Sequence, residues 1–266
     1  MTRIFLAAVV LAAAAGCGGG GGGGGGSSTT SPSPAPTVPI SNACGALGAT
    51  AIVNGSECST ATSAVVLVNL RGSDGLPSGA CSGTIIAARA VLTAAHCLGP
   101  GVGSVRIYLG SGPEQIAQSF SPHPNYRESD PTSLDAGVVL MPQDIGRTPM
   151  PLLLSRDARV GETAVVAGWG LSENQIGATL RAGSTVLTSV GAALLQTQFS
   201  SNASAVCSGD SGGPLLLSEG GTWAVAGITS AVTTTACSFG TNYFANIRNA
   251  SISSFILNLV PDAARR

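Results

Sequence analysis

The segment Cys207-Ser208-Gly209-Asp210-Ser211-Gly212-Gly213-Pro214, continued by Leu215-Leu216-Leu217, sets a serine among glycines directly ahead of an apolar run. A serine hydroxyl is a weak nucleophile and needs an adjacent base to take its proton. It also needs backbone N–H groups aimed at the oxygen that turns negative in a tetrahedral intermediate. Glycines on both sides of Ser211 let the chain turn so that its own N–H and that of Gly209 converge. A G-x-S-x-G elbow of the α/β-hydrolase kind would lead into a helix. Here a proline and a strand-like run follow, so an esterase built that way does not fit.

Working outward, short apolar runs broken by Gly, Pro, Ser and Asn begin near residue 52. Ala64–Leu70, Ser82–Ile86, Val105–Leu109 and Gly137–Met141 are predicted strands of a first half. Thr163–Trp169, Leu180–Leu187, Pro214–Leu217, Trp223–Thr229 and Tyr243–Ile247 are those of a second. Only Ser251–Val260 has helical spacing, with Ile252, Phe255, Ile256 and Leu259 on one face. The pattern predicts an all-β pair of sheets or barrels with one terminal helix. A content of 37 glycines and 4% aromatic residues agrees with short strands joined by tight turns.

A base for Ser211 must come from few candidates, because the chain has two histidines. His96 lies in Leu92-Thr93-Ala94-Ala95-His96-Cys97, where small neighbours let an imidazole face a cleft. His123, in Pro122-His123-Pro124-Asn125-Tyr126, is the rival base. Asp135 heads the apolar run Gly137–Met141, where a carboxylate shielded from water can accept the Nδ1 proton of a histidine and stabilise its cation. Asp130 is the rival carboxylate, but it precedes a proline and lacks the apolar strand.

Thr93-Ala94-Ala95-His96-Cys97, Asp135 before its strand, and Gly209-Asp210-Ser211-Gly212-Gly213-Pro214, in the order His, Asp, Ser, resemble the chymotrypsin/trypsin family of serine proteases. Ser121-Pro122-His123-Pro124-Asn125-Tyr126 and Gly168-Trp169-Gly170 are further family-like pieces, and the likeness covers roughly residues 52–260. The resemblance implies two six-stranded antiparallel β-barrels with the active site between them and a short C-terminal helix. It implies His96 as general base, Asp135 as its orienting partner and Ser211 as nucleophile, with the N–H groups of Gly209 and Ser211 as oxyanion hole. A non-catalytic, surface-anchored binding relative of the same fold is the alternative, opposed by the complete triad.

Family members are made as precursors whose cleavage frees an Ile-Val terminus. Ile52-Val53-Asn54-Gly55 resembles that terminus, and Asp210 is the carboxylate its ammonium would meet. The cut would fall at Ala51–Ile52. The bridges Cys81–Cys97 and Cys207–Cys237 resemble family disulfides; with the family's usual partners for Cys44 and Cys58 absent, these two are left to each other. By the same likeness Ala205 forms the base of the specificity pocket, and Val232 and Thr241 its walls. No acidic residue stands at the base to select Arg or Lys, and bulky walls leave room for a small residue before the cut: Ala, Val or Ser.

The first part of the chain is of another kind. Arg3 precedes an apolar run, Ile4 to Ala15, then Gly16 and Cys17, so residues 1–17 read as a signal peptide. The run is shorter than the roughly 20 residues a spanning helix needs. Ala14-Ala15-Gly16-Cys17 resembles a bacterial lipobox, and removing Cys17 by acylation leaves six of the seven cysteines to pair. Residues 18–43, opening with nine glycines, read as a Gly/Ser/Pro tether with a reach of roughly 25–30 Å. Residues 44–51 would be the propeptide and 52–266 the protease domain. An acylated Cys17 implies attachment to the outer membrane or cell surface; otherwise the protein is periplasmic or extracellular.

Charged residues make up 9% of the chain at a formal net charge of −1, so no basic patch points to nucleic acid. The cysteine spacing holds no zinc pattern. No metal and no cofactor is expected. The expected partner is a protein or peptide substrate, met by a monomer.

Overall fold

The computed structural model describes residues 56–57, 60–130, 133–171, 179–199, 203–233 and 239–266. The leader, the tether, Cys17, Cys44, the Ala51–Ile52 bond, Cys58 and Cys237 lie outside the described residues.

A two-residue strand β1 (Ser56–Glu57) precedes the first sheet. That sheet is built from β2 (Val65–Gly72), β3 (Pro77–Ala87), β4 (Ala90–Thr93), β5 (Val102–Tyr108), β6 (Gln115–Ile116), β7 (Ser119–Pro122) and β8 (Gly137–Leu140). Its order is β6-β5-β2-β3-β4-β8-β7, with every pairing antiparallel. The second sheet comprises β9 (Thr163–Gly168), β10 (Arg181–Val190), β11 (Leu194–Gln198), β12 (Pro214–Glu219), β13 (Thr222–Val232) and β14 (Thr241–Asn246). Its order β10-β11-β14-β13-β12-β9 closes on itself because β9 also pairs with β10, and β1 lies against β10.

Two six-stranded barrels were the expectation; the second half is one. The first half is a curled half-barrel of seven strands, whose outer members β6 and β7 are not paired with each other among the described residues. The nine predicted strands all form, with ends shifted by a few residues. Five strands were missing from the sequence reading, the two-residue β1 among them. The segment Ala90-Val91-Leu92-Thr93 of β4 is buried throughout between β3 and β8, so it shows no alternation to read. The strand β7 ends on a proline, and β6 and β11 are short and partly polar.

Burial explains the strands that were legible. In β2 the residues Val66, Val68 and Leu70 face the interior, and β-branched side chains suit that pleated, half-buried surface. Ile85, Ile86, Leu92, Ile107, Val138 and Met141 fill the first sheet; Leu187, Leu195, Leu215 and Phe244 fill the closed barrel. The helix α1 (Ala250–Leu259) buries Ile252 and Ile256 in the core cluster of the first sheet. Asn249 caps it, its Oδ1 accepting from the N–H of Ser251 at 3.0 Å and of Ile252 at 3.4 Å. No helix among the described residues is long and apolar enough to cross a membrane.

Candidate active site

Register brings His96 and Asp135 together. In the antiparallel pair β4–β8, Thr93 lies opposite Gly137, so the end of one strand and the start of the other share an edge. The chain leaves β4 through Ala94 and Ala95 into a short 3-10 turn, His96–Leu98. A Cβ at Gly137 would come within 2.7 Å of Leu98 and 3.0 Å of the Ala94 carbonyl, so only glycine allows this close approach. A disulfide from Cys97 to Cys81 of β3, with Cα atoms 6.3 Å apart, ties the turn down.

The imidazole is gripped by one carboxylate. His96 Nδ1 lies 2.8 Å from Asp135 Oδ2, and the His96 backbone N–H donates to Asp135 Oδ1 at 3.0 Å. Asp135 is buried while the His96 ring is partly exposed. Nδ1 therefore carries the shared proton and Nε2 is the basic atom that faces the cleft. A third group joins them: Ser230 donates its hydroxyl to Asp135 Oδ2 at 2.5 Å. Ser230 is the extra residue where the β13–β14 register slips between Thr229 and Ala231. A bulge re-aims a side chain, here toward the carboxylate. The sequence reading missed Ser230 as a functional residue; no local pattern announces the bulge.

Ser211 lies in the turn before β12, and this turn is fastened to both halves. The Ser211 carbonyl accepts from the N–H of Ser82 in β3 at 2.8 Å, and Gly212 N–H donates to the Thr229 carbonyl at 2.8 Å. Gly212 has φ +82°, and a Cβ there would fall 2.1 Å from Thr93 Oγ1. Gly209, at φ +92°, lies against Gly170, whose Cα would be 2.9 Å from an added Cβ. The N–H groups of Asp210, Gly212 and Gly213 are spent on protein carbonyls, whereas among the described residues those of Gly209 and Ser211 are not. The Ser211 hydroxyl makes no hydrogen bond among the described residues. In free enzymes such contacts are often long and tighten only around substrate.

Asp210 is fully buried, accepting from Gly170 N–H at 2.8 Å and Cys207 N–H at 2.7 Å. Burial pushes its carboxyl up to about 7, against those two N–H groups and the charge of Arg181. Cys207 is disulfide-bonded, to a partner outside the described residues. The alternatives separate clearly. His123 is buried away from the cleft, its Nε2 3.1 Å from Ser251 Oγ and its ring 4.9 Å from that of Phe255. Asp130 is exposed, and the carboxylate on His96 is that of Asp135.

A cavity of about 670 Å³ adjoins the pair, lined by His96, Asp135, Tyr126, Ser230, Val232 and Tyr243 among others. Burial, then the negative charges of Asp135 and Glu128, push the Tyr126 phenol up to about 12. Of the expected pocket residues Val232 reaches this cavity, while Ala205 is buried and neither it nor Thr241 lines the cavity. Val232 and Thr241 do stand close, at the paired ends of β13 and β14, where Thr233 N–H donates to the Thr241 carbonyl at 3.0 Å. Cys81, His96 and Cys97 are the one cluster of metal-ligand side chains among the described residues, and both of its sulfurs are committed to the disulfide.

Known proteins resemble the chain in sequence and in fold. The trypsin family profile matches residues 52–256. A chymotrypsin from Phaedon cochleariae is 32% identical over 62% of this chain and 69% of its own length. Human granzyme M is 29% identical over 53% of this chain and 65% of its own length. A solved structure named HL collagenase shares the fold, with a TM-score of 0.67 at 22% identity over 79% of this chain and 99% of that one. The disulfide-containing fold is consistent with an exported protein. The chain belongs to the trypsin family of serine proteases and is a chymotrypsin-like serine endopeptidase.

Proposed function

We propose that the chain hydrolyses peptide bonds after small residues through a Ser211–His96–Asp135 triad and an acyl-enzyme. The observation that carries this reading is the His96 imidazole held through Nδ1 on the buried Asp135 carboxylate, with Sγ of the next residue, Cys97, 3.9 Å from the Ser211 carbonyl. Ser211 Oγ attacks the carbonyl carbon and gives its proton to His96 Nε2. The oxyanion takes the N–H groups of Gly209 and Ser211. His96 then protonates the leaving amine, and water, deprotonated by the same nitrogen, releases the acyl group. Past Thr229 the edge of β13 turned away from β14 has no strand partner among the described residues, which supports binding of an extended peptide along Ala231 and Val232. Ala205 as pocket base and Val232 and Thr241 as walls support Ala, Val or Ser before the bond cut.

The proposal extends to maturation. Cleavage at Ala51–Ile52 would free an ammonium for Asp210, whose buried carboxylate is unfavourable without a cation. Ala51 is itself a small residue, so the enzyme could cut its own precursor. Cys207–Cys237 would brace the nucleophile turn, and Cys44–Cys58 would keep the propeptide attached. Cys17, if acylated, would anchor the domain through residues 18–43; loss of membrane fractionation in Cys17→Ala is the expected sign.

Labelling with a fluorophosphonate probe tests the core of the reading. Activated protein should react at Ser211, and Ser211→Ala should be neither labelled nor active; unlabelled, folded wild-type protein overturns the triad. Purified Ser211→Ala precursor that is still cut at Ala51 in isolation rules out self-activation.

A further inference from the structure

Ser82 is a buried polar residue that the mechanism above does not use. Its hydroxyl accepts from the N–H of Trp169 at 2.8 Å and lies 2.8 Å from the carbonyl of Gly209. Since a hydroxyl has one proton and Trp169 N–H occupies a lone pair, that proton is committed to Gly209. The Ser82 backbone adds two bonds, its N–H to the Ser211 carbonyl at 2.8 Å and its carbonyl to Thr93 Oγ1 at 2.8 Å. One residue of the first sheet thus holds both ends of the segment from Gly209 to Ser211.

The four carbonyls along the nucleophile turn show why this matters. Those of Ser208, Asp210 and Ser211 are held by backbone N–H groups of Leu171, Gly213 and Ser82, each at 2.8 Å. That of Gly209 is held by a side chain, Ser82 Oγ. The Gly209–Asp210 peptide lies between the two peptides whose N–H groups belong to Gly209 and Ser211. Its orientation therefore sets the angle between those two donors. Gly209, without a Cβ, resists rotation of this peptide least.

We propose that Ser82 is a positioning residue, whose hydroxyl fixes the Gly209–Asp210 peptide and so aims the oxyanion-binding N–H groups. The role rests on the proposed oxyanion hole of Gly209 and Ser211. Loss of the hydroxyl leaves substrate contacts in place and loosens only donors that tighten on the transition state, so the defect belongs in kcat rather than KM.

The test uses activated full-length protein carrying Ser82→Ala, with Ser82→Gly as the second variant. Rates are expressed per site titrated with a fluorophosphonate, which removes any unfolded fraction. The expected result is a kcat lower by roughly tenfold to a hundredfold, below the loss for deleting a donor outright. KM for a small-residue peptide ester should stay within about twofold, and affinity for the matching peptide aldehyde should fall by the same factor as kcat/KM. Unchanged kcat per site, or equal losses in aldehyde and ground-state peptide binding, overturns the role. Failure of both variants to fold overturns it too, because the hydroxyl would then join the two halves rather than aim a peptide. Titratable wild type with undiminished Ser82 variants sinks only this role; untitratable wild type sinks the triad.

Discussion

Ser230 Oγ donates to Asp135 Oδ2 at 2.5 Å, the same oxygen that lies 2.8 Å from His96 Nδ1. The carboxylate is thereby fixed from two sides, and the imidazole ring with it. Ser230→Ala should leave the fold intact and loosen His96. A hydrogen bond to a charged group is worth about 1.5–3 kcal/mol, so kcat/KM should fall by roughly 10- to 100-fold. Steady-state kinetics on a peptide ester checks this, and an unchanged rate would remove Ser230 from the positioning network.

Asp210 makes precursor stability depend on pH. Its carboxyl titrates at 3.8 in the unfolded chain and at about 7 in this fold. Between those values the folded state keeps a proton that the unfolded state releases. Stability is therefore fully present below pH 4 and is lost as pH rises through 7, by roughly 4 kcal/mol at most. Urea unfolding of Ser211→Ala precursor from pH 4 to 8 should show the slope, and the added change Asp210→Asn should flatten it. Pairing with the Ile52 ammonium after cleavage should also diminish it.

His123 has the opposite sign. Its burial lowers the imidazole from 6.5, against a hydrogen bond to the Ser251 carbonyl that raises it, and Nδ1 accepts from Asn125 N–H at 3.2 Å. The stability it contributes is present above pH 6.5 and is lost as pH falls through the lowered folded value. Thermal melts at pH 8 and pH 5 should differ more for wild type than for His123→Gln. Equal differences would mean that His123 is not the acid-sensitive joint between α1 and the loop before Asp135.

Val232 should govern which residue fits before the cut. Val232→Gly removes one wall side chain, and the double change with Thr241→Gly removes both. A few methylene-sized groups of space are worth about 1–3 kcal/mol of discrimination. Relative kcat/KM for Phe over Ala should rise by roughly 10- to 200-fold in the double variant. A peptide library profile measures this, and an unaltered preference would place the pocket elsewhere.

The legible parts of the site share a property. Ser211 with its glycines, His96 beside its cysteine and Asp135 ahead of an apolar strand each carry their chemistry in a few adjacent residues. The long alternating strands, such as β2, were likewise readable from burial of one face. Strand β4 was not, because a segment covered on both faces has no polar side to mark its period.

Residue types and their order along the chain were enough to place the protein in a family and to single out Ser211, His96 and Asp135 as the proposed nucleophile, base and orienting carboxylate. They could not disclose Ser82 or Ser230, whose partners lie 127 and 95 residues away. Those contacts exist because two halves meet at β3 and because β13 gains one residue against β14. Register and the meeting of halves are settled by packing across the whole molecule, and an ordinary serine in a strand carries no local sign of where its hydroxyl will point.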